Sequence, residues 1–241
     1  MGAESGVQRA LDTFRKDVTV YENVRAISTV NDLDLSLNMG FIMFDPYTTI
    51  EEVEENLKFL RRWGLKNVHP TCNRLYVFRG VPIEATLRQE KRLESSFIGS
   101  GYTIDDPKVE VFSQIATQCF DCIRPLVERV MELDCENRNS RSSAADAILD
   151  EETIEKLIED LNSTYIRYFE EILQRVKKGE FDSCEEVDKF TKDLCNRARR
   201  YSLDTLAMID QAGEILSEHC MFTEEWKRGK MLRRDDGVQD I

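Results

Sequence analysis

The stretch from Met39 to Thr49, Met-Gly-Phe-Ile-Met-Phe-Asp-Pro-Tyr-Thr-Thr, constrains this chain more than any other. Leu35, Leu37, Met39, Phe41 and Met43 alternate along one side, while Ile42 and Phe44 make the other side apolar as well. A strand apolar on both sides needs cover on both, which is the situation of parallel strands under helices. The pattern predicts a strand over Leu35–Phe44, ended by Pro46, which has no N–H for a ladder. Thr49 and Glu52 have the spacing of a capping box, so a helix follows at once. In parallel sheets ligands sit at the carboxyl ends of strands, so the Phe44–Thr49 turn is the first place to expect function.

The flanking sequence continues this rhythm. Met1 to Gly6 reads as a loop of the kind that follows a strand, as if the chain opened partway through a fold. Val7, Ala10, Leu11 and Phe14 recur at helical spacing. Thr19 and Glu22 form a second capping box ahead of Val24, Ile27 and Val30. A helix is predicted from Ile50 to Trp63, with Gly64 as its stop. A second strand is predicted over Leu75–Phe78, then a turn through Arg79-Gly80-Val81-Pro82 and a short helix over Ile83–Leu93. Two parallel strands do not bury both their faces and edges, so the rest of the chain or another chain must cover them.

Phe97–Asp106 reads as a Ser/Gly-containing linker between two domains, 1–98 and 107–241. Beyond it the period is helical throughout. Helices are predicted over Val109–Met131, with Pro125 bending the first, over Glu151–Lys178, and from Ser183 to about Cys220. Asn137–Ala145 is expected to be a polar loop, and the tail from Lys227 to fray. Three such helices can share one core as a bundle. The fold class is thus α/β, parallel strands with helices, followed by an all-α helical domain.

Charge and cysteine usage narrow the function classes. A net charge of −13 argues against nucleic-acid and anionic-membrane binding, because phosphate is repelled. No apolar run is long enough for a bilayer, and no secretory signal is read at the start. Seven cysteines, an odd number without dense spacing, suit a reducing cytoplasm.

Gly2-Ala3-Glu4-Ser5-Gly6, then Leu11 to Asn23, Gly40-Phe41-Ile42-Met43-Phe44-Asp45-Pro46 and Gly80-Val81-Pro82 come in an order and spacing that resembles the radical SAM enzymes, in particular their cobalamin-binding-like branch. The resemblance covers about the first ninety residues. It implies that the strands belong to a partial (β/α) barrel. In it Gly2–Gly6 would follow the fourth strand, Gly40–Pro46 the fifth strand would be, and Gly80–Pro82 would follow the sixth. It also implies S-adenosylmethionine and a [4Fe–4S] cluster as cofactors, and a cobalamin held by a separate domain. Cofactor contacts would come from Glu4 and Ser5 to the ribose or methionyl amine, and from Gly40, Phe41 and Ile42 along the adenosine. Asp45 would bind a hydroxyl, and Arg79 beside Gly80 a carboxylate or phosphate. Phe44, Thr48 and Val81 depart from the family's usual glycine, glutamate and threonine, changes that occur within the cobalamin branch. The family's C-x-x-x-C-x-x-C cluster motif does not occur in this sequence. The implied role is therefore the C-terminal portion of such an enzyme, inactive alone. The alternative is a non-catalytic half-barrel and helical module that docks onto a separately encoded N-terminal half.

Each of these residues also has a plainer reading. Glu4 and Ser5 suit an ordinary polar turn, Phe41 and Ile42 a core strand, Asp45 a helix-entry acceptor, and Arg79 a solvated surface. Cys119-Phe-Asp-Cys122 within a helix lacks a second pair, so Cys119 reads as core before it reads as a redox or metal ligand. His69 and His219 have no third ligand nearby in sequence. Tyr165, Tyr168 and Phe169 read as core, and Arg197, Arg199 and Arg200 as a solvated basic island.

Overall fold

The computed structural model of the chain describes residues 1–33, 35, 37, 39–63, 72–95, 100–139 and 149–232. Their elements, in order, are β1 (Gly2–Glu4), α1 (Gln8–Thr13), α2 (Val20–Asp32), β2 (Gly40–Phe41), α3 (Ile50–Trp63) and α4 (Pro82–Gln89), then β3 (Leu93–Ser95), β4 (Ser100–Tyr102), α5 (Pro107–Asn139), α6 (Glu151–Lys178) and α7 (Cys184–Leu232). The molecule is mostly helical, with one small parallel sheet. β1 and β2 pair in parallel, Gly2 opposite Gly40 and Glu4 opposite Phe41. A third extended segment continues the parallel order through a bridge between Phe44 and Arg74, where the Leu75 N–H donates to the Phe44 carbonyl at 2.7 Å.

The helices form where periodicity and caps direct. The Thr19–Glu22 capping box is complete, with both reciprocal hydrogen bonds in place at the start of α2. Thr49 and Glu52 bond reciprocally ahead of α3, at 3.1 and 3.3 Å. α6 occupies its expected span and ends on Gly179, whose φ of +69° is the left-handed cap that glycine adopts without penalty. Pro125 lies inside α5 and does not end it.

The strands are shorter than their apolar patterns suggest. Gly2–Glu4, expected as loop, is itself a strand. Among the described residues of Leu35–Phe44 only Gly40–Phe41 is strand, with the bridge at Phe44, and Leu35 is 58% exposed. An apolar alternation becomes strand only where a partner backbone runs beside it, and β1 offers three residues. The Leu75–Phe78 strand is reduced, among the described residues, to single bridges at Arg74 and at Val77. The Phe97–Asp106 linker is corrected as well: Ser100–Tyr102 pairs antiparallel with Leu93–Ser95, Tyr102 opposite Leu93. Serine and glycine serve the end of an antiparallel pair as readily as a linker. α5 continues through Asn137 to Asn139, and α7 through Lys227 to Leu232, past the expected ends of both. Gly64, Asn67, Val68 and His69 lie outside the described residues, as do 140–148, the greater part of the expected polar loop.

One apolar core joins the sheet to the helical bundle. α5 packs against both α6 and α7, and α3 against α6. A chain of rings crosses from strand to bundle: Phe44 to Phe112 at 5.7 Å, Phe112 to Phe169 at 5.5 Å, Phe169 to Tyr165 at 4.8 Å, and Tyr165 to Phe120 at 5.6 Å. Cys119 is part of this core, as are Tyr165, Tyr168 and Phe169. Arg197 is engaged at the bundle surface by Glu171 and Asp193.

β1 leaves the sheet against α3 at Gly6. A Cβ on Gly6 would stand 2.5 Å from the Cβ of Phe59, an atom fixed to the helix backbone. Gly6→Ala is therefore expected to destabilise the fold by about 1–3 kcal/mol, the usual cost of overpacking. Urea denaturation followed by circular dichroism measures it, and an unchanged midpoint would show that α3 can move away.

Candidate functional site

The carboxyl ends of β1 and β2 meet at a tight turn. The Ser5 N–H donates back to the Ala3 carbonyl at 2.7 Å, which puts Glu4 at a φ of +62°. Such i to i+2 turns are rare, and a non-glycine residue at positive φ costs about 1–3 kcal/mol unless its surroundings enforce it. Here they do. The Ser5 hydroxyl donates to Asn56 Oδ1 at 3.0 Å, and the Gly6 N–H donates to the same oxygen at 2.8 Å. The Val7 N–H donates to Ser5 Oγ at 3.1 Å, and Asn23 Nδ2 donates to the Ala3 carbonyl at 2.9 Å. The Glu4 carbonyl accepts from the Ile42 N–H at 2.6 Å, tying the turn to β2.

Alternation sorts the sheet residues between two sides. Ala3, Phe41 and Met43 are buried, with Phe41 stacked on Phe59 of α3 at 5.9 Å. Gly2 and Gly40 are exposed, while Glu4 and Ile42 are half-buried. Ile42 thus faces away from the side that Phe41 occupies, and the two do not wall one ring together. Gly2 and Gly40 lie opposite each other and leave a strip of backbone without side chains. A Cβ on Gly40 would have nothing nearer than Gly2 Cα at 3.8 Å. The Glu4 carboxylate folds back over Gly2, whose absent Cβ would lie 2.5 Å from Glu4 Oε1. Lys16 Nζ holds that oxygen at 2.8 Å.

The turn after β2 is occupied by structural bonds. Asp45 is 2% exposed, and its Oδ1 accepts from Arg9 Nη1 and from the Tyr47 N–H, both at 2.8 Å. Thr48 Oγ1 accepts from the Asp45 N–H at 2.8 Å. Arg9 also grips Glu52 with two nitrogens, at 2.8 and 2.5 Å. Burial alone would lower the Arg9 pKa, but hydrogen bonds to Glu52 and Asp45 outweigh it and raise the guanidinium above its ordinary value. A second clasp closes from the other side. Tyr102 donates to the Phe44 carbonyl at 3.1 Å, Arg92 Nη2 to the Pro46 carbonyl at 2.7 Å, and the Asp105 N–H to that same oxygen at 2.9 Å. Burial pushes the Tyr102 hydroxyl well above its usual pKa, against the opposing pull of Arg74. Arg79 and Gly80 are exposed at the end of the third segment, Gly80 with a φ of +84°.

Glu4, Gly40 and Ile42 are therefore gathered on one open side, Ser5 and Asp45 are held in buried networks, and Phe41 lies in the core. Arg9, Asn23 and Asn56 were missed in the sequence. The two asparagines carried a signal, since Asn23 and Asn56 sit at core spacing with Ile27 and with Val53 and Leu60.

Among the described residues no group of three or more His, Cys, Asp or Glu side chains is arranged to hold a metal ion. Among them, too, no helix is long and apolar enough to cross a membrane.

No family model matches the chain. A stretch of 63 residues is 38% identical to 4'-phospho-dehydrooxetanocin synthase of Priestia megaterium, covering 26% of this chain and 8% of that protein. Among solved structures, the cobalamin-dependent S-adenosylmethionine radical enzyme OxsB with aqua-cobalamin bound matches all of the chain with a TM-score of 0.55 at 15% identity. The same enzyme with aqua-cobalamin and S-adenosylmethionine bound matches with a TM-score of 0.53 at 14% identity. The chain spans 38% of the length of each. The resemblance to the cobalamin-dependent radical SAM enzymes, read from the residues, is thus shared by sequence and by fold.

Proposed function

We propose that this chain is the C-terminal portion of a radical SAM enzyme, and that the open side of its parallel sheet contributes to the S-adenosylmethionine and substrate sites. The observation that carries this is the pairing of Gly2 with Gly40, flanked by Glu4 and Ile42 at the carboxyl ends of parallel strands. In this reading the strands are staves of a partial (β/α) barrel, 1–98 its share of the barrel and 107–241 a helical domain behind it. Where S-adenosylmethionine binds in such barrels it supplies the radical chemistry, by reductive cleavage.

The residues of this chain bind and orient. With the Glu4 carboxylate swung off Gly2, the Gly2–Gly40 backbone admits a flat ring at van der Waals distance. Ile42 gives that ring an apolar flank and excludes water. Glu4 offers carboxylate oxygens to hydroxyl or ammonium donors, with Lys16 fixing its direction. Ser5 and Asp45 hold the two strand ends in place, and Arg79 with Gly80 forms the rim. The described residues do not fit an iron–sulfur cluster. A cluster, and a cobalamin, would be held by other parts of a complete enzyme.

Titration of the chain with S-adenosylmethionine, followed by amide NMR, tests the reading. Shifts are expected at Gly2, Glu4, Gly40 and Ile42, and Ile42→Glu is expected to remove them. Shifts elsewhere, or none at millimolar ligand, would refute it.

A second reading, a non-catalytic module docking onto a separately encoded N-terminal half, is favoured by one feature. Tyr76 and Phe78 stand exposed with ring centroids 4.7 Å apart beside the third segment. If it holds, Tyr76→Lys with Phe78→Lys abolishes co-purification with a radical SAM N-terminal half, while Ile42→Glu leaves it intact.

A further inference from the structure

Glu4 is one of four non-glycine residues at positive φ among the described residues, and two of the others, Arg15 at +54° and Asp17 at +51°, flank Lys16. Lys16 is the residue whose Nζ donates to Glu4 Oε1 at 2.8 Å. Both ends of this ion pair thus rise from backbone that side-chain-bearing residues adopt at a cost, and only where their surroundings enforce it. The loop that carries Lys16 is enforced from both sides. The Arg15 N–H donates to the Asp12 carbonyl at 3.1 Å and the Lys16 N–H to the Leu11 carbonyl at 3.2 Å, which tie it to the end of α1. Gln8 ties its far side, with Nε2 donating to the Val18 carbonyl at 3.2 Å and Oε1 accepting from the Val20 N–H at 3.0 Å. The oxygen that Lys16 holds is the one over Gly2, 2.5 Å from where a Cβ would stand. Gly40, opposite Gly2, has no such cover.

We propose that the Glu4 carboxylate, held by Lys16, is a latch over the Gly2 half of the strip, which a ring must displace in order to bind. The proposal rests on the reading of the open side of the sheet as part of the S-adenosylmethionine site. A flat ring and the carboxylate do not share the space over Gly2. The direction that Lys16 gives Glu4 is the closed one, so a ring binds only to the fraction of molecules in which the carboxylate has turned away, and its apparent affinity falls by that fraction. A ligand that brings a hydroxyl or ammonium donor offers Glu4 a replacement for Lys16 and recovers part of the loss. A flat apolar ring without a donor recovers nothing, so the latch also selects among rings. Lys16 is 42% exposed, so dissolved salt reaches the pair and loosens it.

The cover is read directly from proton relaxation of the glycine Hα atoms in the full chain, with an uncharged gadolinium chelate as the solvent probe. Before ligand is added, Gly2 is expected to relax more slowly than Gly40. Lys16→Met raises Gly2 toward the rate seen in Glu4→Gly, which removes the cover and suits the positive φ. Arg15→Gln, the same charge change one residue away, leaves it low. In the unmutated chain, which does not depend on variant folding, about 1 M sodium chloride raises it as well. S-adenosylmethionine is expected to bind Lys16→Met about threefold more tightly than the unmutated chain, the scale of an exposed ion pair, and Arg15→Gln with unchanged affinity. Gly2 remaining slow in Lys16→Met, or S-adenosylmethionine binding with Gly2 still covered, would overturn the latch. Absence of binding in every variant, with Gly2 uncovered by Lys16→Met, would strike the proposed function instead and leave the cover as the relaxation rates report it.

Discussion

Phe112→Ala is expected to lower the unfolding free energy by about 3–5 kcal/mol, the range for deleting a buried aromatic ring. Phe112 is 0% exposed and stands midway along the ring chain, touching Phe44 on one side and Phe169 on the other. Its loss removes burial and leaves a cavity at the seam between sheet and bundle, where neither partner can close in without dragging a strand or a helix. Denaturation monitored separately by circular dichroism and by tryptophan fluorescence measures the effect. A loss below about 1 kcal/mol would mean that the seam collapses freely.

Asn56→Ala should cost about 2–4 kcal/mol, because it strands the Gly6 N–H and the Ser5 hydroxyl in a buried place, at about 1–3 kcal/mol for each unpaired group. Its consequence for the site is larger than its size suggests. Asn56 is the helix-borne anchor that keeps Glu4 at positive φ, so its removal allows the turn to relax toward ordinary backbone. Amide shifts at Gly2 to Gly6 should then change well beyond the mutated helix. Unchanged shifts would assign the turn to the β1–β2 pairing alone.

The helices were legible because their information is local. Caps at Thr19 and Thr49 and the glycine stop at Gly179 act within one turn, so the sequence states them directly. The sheet was not, because a strand depends on a distant neighbour. Met1 to Gly6 has no strand-like composition, yet Gly2–Glu4 becomes strand when β2 lies beside it, and Leu35 keeps an apolar pattern with no strand partner among the described residues. At the site, the turn after β2 drew attention by its position, but Asp45 proves to be bonded by Arg9, an ion pair between residues 36 apart. The glycines carried the opposite lesson: Gly2 and Gly40 mean little singly and form a strip only when the pairing register sets them opposite each other.

The hold on the Phe44–Pro46 turn has a consequence for how this protein can change. Tyr102, Arg92 and the Asp105 amide all grasp main-chain oxygens there, and none grasps a side chain. Every amino acid presents the same carbonyl, so the clamp is indifferent to what those three positions spell. The path of the main chain is thus secured apart from the side chains, whose identity answers instead to the Phe112 ring against Phe44 and to the Arg9 charge on Asp45.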